Sequence, residues 1–356
     1  MNLRIKSSHR SKTIDESASN DLTYFKFNES RTSSSSDDIN GYQSVLEAYN
    51  LNRSIHLDKS NIVFFYLLTD YKKLKDIVVK TRSIKFVASL LCIDLFCSKS
   101  SLYDVVRKSM NTEQSLKYLP QTYILGPNQD LRTLVDGELY ILKKNLQRQN
   151  GLLITKDLER IRNAYKDNYV VCQKVLQDVF TINNKKINLR VYLLITMTST
   201  TPMFFVYNNG FVYYTKVPFS KNSEDPDVHI TTGYIDRTVY DKNPMSLQDL
   251  ENLIQPEKYS ILRHNINDCI KGVMQAFVPI VQKYDTSDQT NFVILGCDFA
   301  VSSQLTCKLM EINKGPDLDY KDERDREVKY NLVKDTLITL GIIKGHTDNY
   351  LKINAY

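Results

Sequence analysis

The stretch that most limits how this chain can fold is FVILGCDFAVSSQLTCKLMEINKGP, residues 292–316. Phe292 to Val301 and Thr306 to Asn313 are short apolar runs rich in branched residues, separated by the polar Ser302-Ser303-Gln304, so they read as a β-hairpin. Side chains alternate along a strand, which puts Glu311 and Asn313 on one face; an even-numbered turn places Asp298 on that same face of the partner strand. Carboxylates on an apolar strand carry a desolvation cost that something must compensate. A hard divalent cation does so, and Mg²⁺ held by few carboxylates together with nucleotide phosphates suits this sparse oxygen set. A hairpin at the solvent edge with exposed acids fits the same residues, and the rest of the chain must decide between them.

A chain of 356 residues with 42% hydrophobic residues can bury a large core and is expected to split into two or three lobes. Its net charge of +6 favours an acidic partner but is too small to demand nucleic acid. The six cysteines lie mostly inside apolar runs without CxxC spacing, which points to free buried thiols in a reducing compartment rather than to disulfides or zinc. No apolar run approaches a membrane span, and MNLRIKSSHRSK lacks the apolar centre of a signal peptide, so a cytoplasmic chain is expected.

Residues 1–40 are polar, include Ser33-Ser34-Ser35-Ser36-Asp37-Asp38, and read as a disordered Ser-rich tail. Residues 41–135 read as an N-terminal α/β lobe: the strand run Ile62 to Leu68, a basic helical stretch Tyr71 to Lys80, the apolar segment Phe86 to Phe96 and a helix from Ser100 through Met110. This lobe shows no chemistry. A central lobe at 136–187 has the strand Glu138 to Lys143, a loop from Lys144 to Asn150, a return strand from Gly151, a helix with Thr155 as N-cap, and the strand Tyr169 to Leu176. The last lobe, 188–356, opens with Asn188 to Met197, then Met203 to Tyr207, an Asn208-Asn209-Gly210 hairpin turn and Phe211 to Thr215. A long core-facing helix over 257–284, the acidic hairpin and a closing amphipathic helix after Lys321 complete it.

Six blocks stand in order along the chain: Tyr140-Ile141-Leu142-Lys143 with Arg148 and Gly151; Val170 to Leu176; Lys186 to Tyr192; His229-Ile230-Thr231-Thr232; Gly296-Cys297-Asp298; and Met310-Glu311-Ile312-Asn313. Their order and spacing, over roughly residues 80 to 345 of a region of about 45–350, resemble the tubulin–tyrosine ligase-like family of ATP-grasp amino acid ligases. The resemblance implies an α+β, ATP-grasp-like fold in which two α+β lobes close over ATP, preceded by the small N-terminal α/β lobe.

The same resemblance implies residue roles, each set beside what the residue type can do. Lys143, Lys186 and Asn188 would contact ATP; ammonium groups complement phosphate charge. Arg148, Gln149 and Gly151 belong to the phosphate-covering loop, although Lys144 and Gln149 replace its usual proline and glycine. Gln173, Lys174, Val175 and Leu176 form the hinge whose backbone reads the adenine edge, and Thr231 and Thr232 lie at the ribose. Lys186, Asn188 and Arg190 alternate and so share one face of one strand, which fits either a lined cleft or a water-facing edge. Arg190 and Glu311 are the catalytic candidates, and Asp298, Glu311 and Asn313 the Mg²⁺ ligands. Arg190, Tyr213, Gly233, Tyr234 and Lys329 would meet the incoming amino acid, Lys329 being equally readable as a solvated charge on a salt-bridged helix. His229 reads as a structural hydrogen-bonder, and no Ser-His-Asp or Cys-His arrangement is present.

The activity implied by this resemblance is that of an ATP- and Mg²⁺-dependent ligase that activates a carboxylate as an acyl phosphate and joins it to a free amino acid. Glutamate has an edge as the commonest donor in the family, with glycine and tyrosine open. Tubulin C-terminal tails or another acidic protein would be the acceptor, with no nucleic-acid or membrane partner, a monomeric chain, and a microtubule- or cilium-associated place in the cytoplasm. The rival is a catalytically inactive ATP-grasp module that binds microtubules or protein, suggested by Asn188 in place of the family aspartate and by Thr232, Lys144 and Tyr213.

Overall fold

The computed structural model describes residues 22–26, 40–64, 81–145, 151–284 and 289–356. Its strands run, in chain order, β1 Thr23–Lys26, β2 Asn52–Arg53, β3 Ile62–Phe64, β4 Phe86–Ala88, β5 Thr122–Ile124, β6 Tyr140–Lys144, β7 Leu152–Thr155 and β8 Tyr169–Lys174. They continue with β9 Thr181–Ile182, β10 Lys185–Thr198, β11 Thr201–Thr215, β12 Thr231–Thr232, β13 Thr290–Val301, β14 Cys307–Lys314 and β15 Tyr350–Ile353.

Two sheets result. The smaller, ordered β5-β8-β6-β7, is antiparallel throughout. Alternation divides its residues: Tyr140, Leu142 and Cys172 bury one face against Ile161 and Ala164, while Leu139, Ile154 and Val175 pack with Ile141 and Ile230 on the other. The larger sheet has eleven strands along β12-β11-β10-β13-β4-β3-β1-β2, with β14 on β13, β15 on β11 and β9 on β10. Residues 191–197 of β10 are all buried, which explains a run that is apolar but for Thr196. Residues 186–190 alternate polar with apolar, so one face there lines a cleft rather than a core.

The helix Pro256–Val281 covers the large sheet and reaches β14, β11 and the helix Lys99–Ser109. Gly272 lets it approach the ring of Tyr118, where an added Cβ would come within 2.3 Å of the ring. Phe96 stacks on Phe277 with centroids 4.2 Å apart, tying the N-terminal segment to the same core.

Several expectations change. Thr23–Lys26, inside the stretch read as a tail, is a strand paired in parallel with β2 and β3, and Tyr24 is buried in the main core. The strands of the N-terminal region do not close a sheet of their own: β3 and β4 extend the large sheet through parallel pairing of β4 with β13. The run Ile62 to Leu68 is a strand over Ile62–Phe64; residues 65–80, including the expected helix Tyr71 to Lys80, lie outside the described residues.

Asn208-Asn209-Gly210 is not a hairpin turn; β11 runs straight through it, and β10 and β11 join at Ser199-Thr200. Gly210 serves a close approach instead: a Cβ there would lie 2.1 Å from the Arg190 carbonyl oxygen, beside a bulge between Val191 and Leu193. Asp157, not Thr155, caps the helix Leu158–Asn163, accepting from Glu159 and Arg160 N–H groups.

Candidate active site

Three neighbouring strands set one row of charges across the cleft. Arg190 on β10 lies opposite Asp298 on β13, and Asp298 lies opposite Glu311 on β14. The expected convergence holds, but its cause is different. Five residues join β13 to β14, which would face Asp298 with Met310; a bulge between Asp298 and Phe299 absorbs Met310 and turns Glu311 to the cleft. Arg190 grips Asp298 with two hydrogen bonds, Nε to Oδ1 at 2.5 Å and Nη2 to Oδ2 at 3.0 Å. The Asn313 amide donates to Asp298 at 3.0 Å and to Glu311 at 3.3 Å.

The two carboxylates are held differently. Burial pushes Asp298 up, and the Arg190 guanidinium offsets this only in part. Burial pushes Glu311 up as well, but the ammonium groups of Lys143 and Lys99, the Arg190 charge and the Asn313 amide outweigh it, so Glu311 ends below the ordinary carboxylate range. Turned by half a rotation, the Asn313 amide presents Oδ1 where it now presents Nδ2, and the row then supplies three oxygen donors, which fits Mg²⁺. Among the described residues no group of three or more His, Cys, Asp or Glu has metal geometry, so any divalent ion here depends on that mixed set.

Beside the row lie two buried lysines. Lys143 extends from the cleft face of β6 and has no carboxylate at ion-pair distance among the described residues. Lys186 donates to the His229 carbonyl at 3.0 Å and likewise has no carboxylate partner there. Burial drives both down, Lys186 to about 8 with the Lys143 charge adding to the effect. Two buried ammonium groups that repel each other form a site for an anion, and polyphosphate fits it. The Asn188 Oδ1 and Gln173 Oε1 atoms are buried with no hydrogen-bond partner among the described residues, so the cleft also has polar groups to offer a ligand.

A narrow cavity between the sheets is lined by Lys99, Lys143, Gln173, Met310 and Glu311. Lys99 was missed in the sequence because it belongs to the region that showed no chemistry. It starts the helix Lys99–Ser109, and its charge acts on both Lys143 and Glu311. A second cavity of about 380 Å³ runs along Lys174, Val175 and Leu176, the residues expected to form the hinge. The N–H groups of Lys174 and Val175 are already spent on the Gln121 and Leu139 carbonyls, and the Lys174 ammonium pairs with Glu138 at 2.8 Å.

The remaining expected residues are scattered around the aromatic side of the cleft. Tyr213 faces Asn188 across β10 and β11, with the Arg190 guanidinium 5.3 Å from its ring centroid, and its ring packs on Gly233. Thr232 accepts from the Tyr234 N–H, Thr231 pairs with Thr215 across the strands, and Tyr234 is exposed. Lys329 is buried rather than solvated, paired with Asp325 at 2.9 Å and bonded to the Asp319 carbonyl. His229 is structural, its Nε2 bonded to the Ser223 carbonyl. Gly151 is left-handed at φ 71°, as its turn requires. Arg148 and Gln149 lie outside the described residues. All six cysteines are free, five of them buried, and no described helix is long and apolar enough to cross a membrane.

The model of the tubulin-tyrosine ligase family matches residues 84–349. The chain is 24% identical over 301 residues to tubulin polyglutamylase TTLL6 of Homo sapiens, covering 77% of this chain and 33% of that one. It is 29% identical over 181 residues to probable tubulin polyglutamylase TTLL9 of Bos taurus, covering 48% and 38%. To tubulin glycylase 3B of Drosophila melanogaster it is 25% identical over 242 residues, covering 62% and 31%. The chain thus spans about a third of the length of these relatives.

Proposed function

Because the chain belongs to the tubulin–tyrosine ligase family, we propose that it is an ATP-dependent ligase joining a free amino acid to a carboxylate of an acidic protein, tubulin tails being the acceptor that its relatives' names suggest. The observation that carries the reading is the meeting of Asp298, Glu311 and Asn313 with Lys143 and Lys186, buried cations that have no carboxylate of their own among the described residues. The small sheet and the large sheet serve as the two lobes over ATP, with the apolar Val175, Ile141 and Ile154 beside the base.

In the first step an acceptor carboxylate oxygen attacks the γ-phosphorus, the bond to the β–γ bridging oxygen breaks, and ADP leaves. In the second the amine nitrogen attacks the acyl carbon, the C–N bond forms, phosphate leaves, and the nitrogen gives up a proton. Lys143 and Lys186 hold the phosphates, and Arg190 orients Asp298 while its remaining N–H groups face the transferring oxygens. Mg²⁺ on Asp298, Glu311 and Asn313 would draw charge from the phosphate oxygens.

Incubating the protein with Mg-ATP, tubulin and pooled labelled amino acids tests the reading. Incorporation that Glu311→Gln abolishes supports it; tubulin binding that ignores nucleotide, with no incorporation, replaces it by the inactive module.

A further inference from the structure

Adjacent residues of a strand point to opposite faces, so where Lys143 enters the cleft, Lys144 leaves on the outer face of the small sheet. An open cavity of about 370 Å³ lies there, floored by Leu142, Leu153 and Ala164 and walled by Lys144, Arg160 and Lys166. Among the described residues of its lining, Asp167 is the only acid. None of the three cations has a carboxylate at ion-pair distance among the described residues; the Lys144 ammonium lies 4.8 Å from the Tyr169 ring centroid, and Lys166 donates to the Asn163 Oδ1 at 2.8 Å. We propose that this cavity is a docking site for an acidic peptide segment, outside the cleft and independent of the chemistry in it.

Local backbone geometry builds the cavity. Lys143 pairs with Val171 but Lys144 with Tyr169, so a bulge takes up Val170; it turns the Tyr169 ring, due by alternation for the cleft face, onto the outer face beneath Lys144. Gly151 clears a path for the Lys144 stem, since an added Cβ there would come within 2.9 Å of it. Lys144 is itself a departure from the family resemblance. Its N–H donates to the Gly151 carbonyl at 3.1 Å, a bond that the usual proline could not make.

The chemistry of the walls selects the occupant. Compact phosphate is commonly met by several converging backbone N–H groups. Here the Lys144 N–H is used within the hairpin, and the Asn168 N–H, in a left-handed turn at φ 64°, returns to the Ala164 and Tyr165 carbonyls. Side-chain cations standing on β6, on the helix Leu158–Asn163 and on the short helix Ala164–Asp167 match carboxylates spaced along a chain. Leu142 and Leu153 offer an apolar floor to the aliphatic stems of such acids. The net charge of +6 adds long-range attraction for the same partner.

Fluorescence anisotropy on the full chain, with a labelled hexaglutamate peptide as probe, tests this. Arg160→Glu is expected to weaken binding about fivefold, and its combination with Lys166→Glu about tenfold or more. Arg162→Glu is the control: that residue sits on the same helix, off the cavity and paired with Glu159, and the change should be less than about twofold. Absence of binding overturns the proposal, as does unchanged affinity in the double variant, which would place the peptide elsewhere. Equal weakening by Arg162→Glu overturns it too, by reducing the interaction to general attraction to a basic surface. Inorganic phosphate that displaces the peptide at equal or lower concentration would make this a phosphate site instead. Each of these results leaves the ligase reading standing, because that reading is decided by nucleotide uptake and amino acid incorporation.

Discussion

The two ends of the cleft treat buried charge in opposite ways. At the β14 end each charged group has a side-chain partner: Arg190 on β10 holds Asp298 on β13, and Asn313 bridges Asp298 and its own strand's Glu311. At the other end Lys143 and Lys186 are buried and repel each other. A row whose groups hold one another costs the fold little beyond desolvation, whereas buried ammonium groups that meet no carboxylate at ion-pair distance among the described residues are a standing cost that a ligand offsets. On the proposed ligase reading, the contrast separates residues kept for architecture and ion geometry from residues kept for phosphate.

The largest effect should come from breaking the Arg190–Asp298 pair of that row. Arg190→Leu leaves Asp298 buried without its partner and is expected to cost about 3–5 kcal/mol in denaturant unfolding; the double variant with Asp298→Leu should recover most of that. Equal losses in single and double variants would show that the pair is not what holds the row. Next, Glu311→Gln preserves shape and should cut ligation by about a hundredfold or more, roughly 3 kcal/mol of barrier, with little change in melting temperature.

The cationic end should respond in the opposite sense. Lys186→Met is expected to stabilise the ligand-free fold by about 1–3 kcal/mol and to weaken nucleotide binding, so a variant that loses stability breaks the contrast. The smallest effect is a pH dependence. Lys186 titrates near 8 in the fold against 10.5 ordinarily, so between these values the unfolded chain binds more protons, and stability should rise with pH across that window. Nucleotide affinity should fall over the same range as the ammonium is lost, measurable by parallel melts and titrations.

Local pattern carried much of this into the sequence. The alternation of Lys186, Asn188 and Arg190 and the two acids of the 292–316 hairpin were readable because strand faces repeat every two residues. What could not be read depends on partners far along the chain. The Met310 bulge sets the register of Glu311, and the Arg190–Asp298 pair joins residues 108 apart. Lys99 carries no motif of its own; packing of Phe96 on Phe277 and the Lys314–Asp94 ion pair hold its segment against the hairpin. Asn209-Gly210 misled for a related reason, since the glycine answers a cross-strand carbonyl and not a turn. Family resemblance supplied the roles of Gln173 to Leu176, but not the prior use of the Lys174 and Val175 N–H groups inside the fold.

Calorimetry of ATP binding with and without Mg²⁺, on the parent chain and on Glu311→Gln, probes the oxygen row and the lysines together. The parent chain should take up ATP only with Mg²⁺ present, and Glu311→Gln should remove that uptake. Equal ATP affinity in the presence and absence of Mg²⁺, or undiminished Mg²⁺-dependent uptake by Glu311→Gln, would contradict it.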